Sequence, residues 1–183
     1  PVRRDAFLQA TDGFEEIEAL TPVDMLRRAG KKVVTVGITG KTVTGAHGIP
    51  VIADCEPKDL PHDKIECLIL PGGMPGTKNL GESPETDALI NRTLSDGGRL
   101  AAICAAPSVL GKRGLLRGKK ATCYPSFERF LEGADCVTDK VVTDGNITTS
   151  RGAGTAMNFA LDLVALLVSP EKSDELKSGV IFD

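Results

Sequence analysis

The segment that most constrains this chain is Arg99-Leu100-Ala101-Ala102-Ile103-Cys104-Ala105-Ala106-Pro107-Ser108. Its run of small and β-branched apolar residues predicts a buried strand that stops at a single cysteine. Pro107 stands where the first turn of a helix begins. A strand that runs straight into a helix forces a sharp turn, and the side chain at the junction is pushed out over the sheet edge. Such a nucleophile elbow needs small residues two before and two after the nucleophile, here Ala102 and Ala106. The helix N-terminus adds free N–H groups and a positive dipole end, which favour a thiolate. The competing reading is a buried structural cysteine, because free cysteine is among the most buried residue types.

The rest of the chain alternates strands with helices around this point. Ala6–Ala10 predicts a first strand, Thr11-Asp12-Gly13 a turn, and residues 15–28 a helix with acids in its first turn and Arg27 and Arg28 near its end. Pro22 predicts a kink or a second segment within it. Lys32–Ile38 and Ile65–Leu70 are further strands, the second ending at Pro71-Gly72-Gly73, and residues 39–53 read as a hairpin excursion. A helix over 84–95 precedes the elbow strand. Beyond the elbow, 119–123 predicts a strand and 126–131 a short helix. Residues 137–138, 141–143 and 147–149 predict short strands, some in a hairpin, and 155–168 an amphipathic helix. This alternation predicts an α/β fold: a three-layer sandwich with a mostly parallel central sheet, formed by 1–183 as one domain. Sites in such sheets lie beyond the carboxyl ends of the strands, so the turns at Gly13, Gly73 and Cys104 are expected to converge there.

Composition narrows the class. The net charge of −3, with acids and bases interspersed, gives no nucleic-acid footprint, and no apolar run has the length of a membrane span. The start of the sequence lacks the apolar stretch of a signal peptide. Five cysteines (Cys55, Cys67, Cys104, Cys123, Cys136), an odd number without a C-x-x-C pair, predict reduced thiols, a cytoplasmic setting and neither a disulfide framework nor a metal site. No cofactor is expected. His47 and His62 are the only histidines, which restricts mechanisms that need a histidine base.

A working Cys104 requires a proton partner and donors for an oxyanion. The N–H of Ala105, next after the nucleophile, and that of Gly73 supply the donors. Glu15, Glu16 and Glu18 crowd the end of the first strand, and any of them could face the sulfur. A carboxyl group there would be held protonated by burial and by the thiolate, and would donate to sulfur. The alternative is three solvated glutamates at a helix N-terminus.

The strings DGFEEIEAL, PVDMLRRAGKKV, LILPGGMPGTKNL, AAICAAPSVL and TSRGAGTAMNFAL, in this order, closely resemble the ThiJ/PfpI superfamily. Within it they look most like the Parkinson-disease protein 7 (protein deglycase) subgroup. The resemblance spans Asp12 to about Lys177. It implies a flavodoxin-like sandwich, a homodimer, a reactive cysteine at Cys104, a protonated glutamate at Glu18, and oxyanion donors at Gly73 and Ala105. Where many members carry a histidine just before the proline of Thr122-Cys123-Tyr124-Pro125, this chain has Tyr124, a poor base at neutral pH but a usable donor. Cys123 beside it borders the expected site. The Gly152-Ala153-Gly154 stretch resembles an anion cradle without Rossmann context, and in this family would wall the pocket or the subunit interface.

The function that this resemblance implies is cysteine-dependent chemistry on reactive α-oxoaldehydes, glyoxalase III-like, or on their early amine and thiol adducts, deglycase-like. Cys104 would form a hemithioacetal and Glu18 would shuttle the proton. The alternative is an oxidative-stress sensor or chaperone that signals through oxidation of Cys104. A protease-like branch expects a histidine directly after the cysteine, where Ala105 stands. A glutaminase triad likewise lacks its histidine.

Overall fold

The computed structural model describes residues 4–183. The strands are β1 (Arg4–Ala10), β2 (Val33–Gly37), β3 (Thr42–Thr44), β4 (Pro50–Ile52), β5 (Lys64–Leu70), β6 (Arg99–Ile103), β7 (Lys120–Ala121), β8 (Asp135–Cys136), β9 (Val141–Asp144) and β10 (Ile147–Ser150). The helices are α1 (Glu16–Arg28), α2 (Gly76–Glu82), α3 (Pro84–Ser95), α4 (Pro107–Gly111), α5 (Ala156–Leu167) and α6 (Pro170–Gly179). The central sheet runs in the order β2-β1-β5-β6-β10-β9, parallel throughout except for β9, which returns antiparallel along β10.

Strand alternation divides the core into two layers, as a two-residue side-chain period requires. On one face, Ala6 and Leu8 of β1, Ile69 of β5 and Ile103 of β6 pack with Met25 and Leu26 of α1 and Phe159, Leu163 and Val164 of α5. On the other, Phe7, Leu68, Leu70 and Leu100 pack with Leu89 and Ile90 of α3 and Val109 and Leu110 of α4. The result is the predicted three-layer α/β sandwich.

Capping explains the helix starts. Ser83 accepts the Thr86 N–H at 3.3 Å and Pro84 occupies the first turn of α3, while the Glu15 side chain caps α1 through the Ile17 N–H at 3.4 Å. From β1 the chain turns out to α1 and then to β2 on one side, and from β5 it turns to α3 and then to β6 on the other. The strand order therefore reverses between β1 and β5, and the crevice beyond their carboxyl ends is the natural position for a site.

Of the two outcomes open at Pro22, the second segment does not form: α1 is one helix, with Pro22, Val23, Met25 and Leu26 buried. Three expectations need correction. The strand expected over 119–123 shrinks to Lys120–Ala121, paired with Asp135–Cys136, and 137–138 is not strand. The helix expected over 126–131 is a single 3-10 turn at Glu128–Phe130, since Ser126 takes a left-handed φ of 79° that a helix does not accommodate. The two helices α2 and α6 were not anticipated from the sequence.

Candidate active site

Cys104 follows the last residue of β6 and takes a φ of 64°, a left-handed conformation that costs a residue with a side chain on the order of 1–3 kcal/mol. The turn is held on both sides. The Cys104 N–H donates to Ser150 O of β10 at 2.9 Å, and the Cys104 carbonyl accepts the Tyr124 N–H at 2.8 Å. Ala102 and Ala106 are fully buried, as the tight junction demands. This is the elbow that the sequence predicted.

The loop after β5 closes over the sulfur. Gly72 donates its N–H to Glu18 Oε2 at 2.9 Å, and its carbonyl accepts the Glu15 N–H at 2.9 Å. A methyl group on Gly72 would sit 2.5 Å from that same Glu18 oxygen and 2.7 Å from Cys104 Cβ, so only glycine fits between the acid and the nucleophile. Gly73 has a φ of 91° and turns its N–H to the sulfur, as does Ala105 on the other side. Gly72 is the residue that sequence reasoning missed. The paired glycines of Pro71-Gly72-Gly73 were the available signal, and only the second was assigned a purpose.

The three glutamates separate into three tasks. Glu15 caps α1. Glu16 turns the other way, accepting the His47 N–H at 2.8 Å and bonding His47 Nδ1 at 2.9 Å, and so ties the β3–β4 hairpin to the start of α1. Glu18, 1% exposed, points inward and hydrogen-bonds the Cys104 sulfur. His47 is thus engaged with Glu16, away from the thiol.

Burial raises the Glu18 carboxyl to about 7, against the smaller downward pull of its hydrogen bonds to Cys104 and Gly72. Burial also pushes the Cys104 thiol up, to about 12, followed by the Glu18 charge and hydrogen bond. The N–H groups of Ala105 and Gly73 oppose that rise. The expected thiolate lowered by a helix N-terminus therefore does not hold in that form. Helix α4 begins only at Pro107 and has five residues, while burial and the neighbouring acid act directly on the sulfur. The thiol thus keeps its proton at neutral pH, while the Glu18 carboxyl titrates in that range.

Tyr124 is half exposed. Its ring lies against Gly152, where an added methyl group would meet it at 3.5 Å, and edge-on to Phe127. Its backbone supports the elbow, and its ring joins the Gly152 turn as a wall. Cys123 is buried, with Cys136 among the charges that influence it. No helix among the described residues is long and apolar enough to cross a membrane.

Comparison with known proteins agrees with this geometry. The chain is 39% identical to the protein dj-1beta of Drosophila melanogaster over 97% of both chains. The crystal structure of that protein superposes with a TM-score of 0.93, covering 98% of each. It is 36% identical to a glutathione-independent glyoxalase of Caenorhabditis elegans, covering 88% of this chain and 87% of that protein. It is 32% identical to a deglycase of Pyrococcus abyssi, covering 86% and 96%. Two longer Arabidopsis thaliana relatives are spanned over only 41% and 43% of their length. With residues 4–166 matching the DJ-1/PfpI family throughout the sheet, the elbow and the glutamate helix, the chain belongs to that family.

Proposed function

We propose that this protein converts reactive α-oxoaldehydes such as methylglyoxal, or their early adducts with amines and thiols, to hydroxy acids through Cys104. The observation that carries this reading is the sulfur's surroundings: a buried glutamate at hydrogen-bond distance and two backbone N–H groups directed at it. Relatives named glyoxalase and deglycase support the same chemistry.

With Glu18 ionised, the first step is self-contained. As sulfur attacks the aldehyde carbon, its proton passes to Glu18, and no charge has to leave the crevice. The S–C bond forms, the carbonyl π pair becomes an oxyanion facing Gly73 and Ala105, and protonation gives the hemithioacetal. Glu18, ionised again, then removes the proton from the former aldehyde carbon and returns it to the adjacent carbon. The oxidised carbon becomes a thioester while the neighbouring ketone becomes an alcohol, so the rearrangement is redox-neutral. Water releases the hydroxy acid and restores the thiol. Tyr124, at the exposed rim, supplies a donor to the substrate where a histidine is absent.

Lactate production from methylglyoxal by wild type, Cys104→Ser and Glu18→Gln tests the reading. Wild type is expected to turn over, with both variants reduced by about 100-fold or more, as for loss of a nucleophile or its base. Equal rates in all three would sink the proposal. A second reading, oxidative sensing, draws on the same two N–H groups, which are positioned to hold sulfinate oxygens on Cys104. The homodimer belongs to both readings.

A further inference from the structure

Behind the elbow, on the α2 and α4 face and apart from Cys104 and Glu18, lies a cavity of about 390 Å³, within the roughly 300–1,000 Å³ of small-molecule sites. Its walls are apolar, built from Met74, Val109, Phe127 and Phe130. Its charged lining is one-sided: Lys78, Lys112 and Arg129 against Glu82 alone. Among the described residues none of these three cations is in an ion pair, and Lys112 and Arg129 both sit over the Phe130 ring, 4.6 and 4.7 Å from its centre.

We infer that this cavity is a second binding site, for a small organic carboxylate with a flat apolar body. The aromatic and aliphatic walls take the body, and the unpaired cations take the carboxylate. A neutral molecule of the same shape would leave the cations unmatched. A dication would meet three like charges. The inference stands independently of the chemistry proposed at Cys104.

Calorimetric titration of the full chain with 2-naphthoate and with neutral 2-naphthamide tests it. Saturable binding of naphthoate is expected, weakened roughly fivefold for the amide, the scale of a partly exposed charge contact. Gly81 lines the same cavity, and a Cβ built there meets no atom within 4 Å. Gly81→Leu should therefore fill the space without disturbing the fold, seen as an undiminished Tm, and weaken naphthoate by about tenfold or more. Should that variant fail to fold, Lys112→Gln replaces it, with a roughly threefold to fivefold loss expected. Absence of saturable binding, equal affinity for acid and amide, or affinity unchanged in a folded Gly81→Leu protein would each overturn the assignment.

Discussion

At the scale of single residues, the pairing of Glu18 with Cys104 has consequences for pH and for oxidation. The Glu18 carboxyl is raised from 4.5 to about 7 in the folded protein, chiefly by burial. A carboxyl raised on folding binds more protons folded than unfolded, so its contribution is present in full below pH 4.5 and lost as pH rises through about 7. The loss is on the order of 3 kcal/mol. Urea melts of wild type and Glu18→Gln between pH 4.5 and 8 should diverge in that direction, with the variant the flatter of the two. A wild type that gains stability relative to the variant over this range would contradict the raised carboxyl. The thiol reports the same coupling: Glu18→Gln keeps a donor to sulfur and Glu18→Leu does not, so thiol titration should give the lower pKa in the glutamine variant. Oxidation follows from the same geometry. Cys67 and Cys123 are buried, Cys55 and Cys104 are half-buried, and Cys136 is exposed. Cys136 lacks the pair of N–H groups that would hold a sulfinate. Graded peroxide followed by peptide mass spectrometry should show a gain of two oxygens on the Cys104 peptide while Cys67 and Cys123 stay reduced. A Cys104–Cys123 crosslink would instead make Cys123 a resolving cysteine.

At the scale of elements, the β3–β4 hairpin is held to the start of α1 by Glu16 and His47, reinforced by the Gly13 N–H to Thr44 O at 2.8 Å and the Ala46 N–H to Phe14 O at 2.8 Å. The His47 ring is raised above 6.5, foremost by its hydrogen bond to Glu16, and that carboxyl is lowered by the His47 contacts despite burial. A raised histidine stabilises below 6.5 and loses that contribution as pH climbs through its folded value. Amide exchange at Ala46 and His47 should therefore quicken with pH beyond the intrinsic trend. In His47→Ala it should be fast throughout, while α5 amides stay unchanged. The same region shows what the sequence could reveal. Acid-first, base-last order marked α1, and the run from Arg99 to Pro107 marked the elbow, because both depend on neighbours in the chain. The division of labour among Glu15, Glu16 and Glu18 could not be read locally, since their partners stand at Ile17, His47 and Gly72. The family motif, not spacing, singled out Glu18. Helix α2 was missed because Gly76-Thr77-Lys78-Asn79-Leu80-Gly81-Glu82 has poor helix formers and is held by packing of Leu80. Gly72 was missed because its need for an absent side chain arises from Glu18 and Cys104, distant in sequence.

At the scale of the whole molecule, the outer side of α1 is apolar at its start. Ile17 is 53% and Leu20 41% exposed on α1, and Ile49 and Ile52 stand exposed on the hairpin fastened to its start. Isolated apolar residues on a surface are ordinary, whereas several on two joined elements mark a contact face. We expect this face to bury itself against a second copy, with α1 near the two-fold axis, since a two-fold interface needs one self-complementary patch. Such an arrangement would bring two copies of the Glu15–His47 region near the same boundary and place each elbow one helix away from the interface. Light scattering at micromolar concentration should give twice the chain mass. Ile17→Arg should give a monomer, because a desolvated charge would meet its own copy across the axis. The substitution lies at an exposed position, so the far-ultraviolet dichroism of the variant should match wild type, which separates lost association from lost fold. A wild-type monomer, or an Ile17→Arg protein that still dimerises, would move the interface elsewhere. The state of the thiol offers a last discrimination: if α1 is clamped by the partner, Glu18 is held more firmly on its inner face. Peroxide oxidation of Cys104 in the monomeric variant should then lose its selectivity over Cys136.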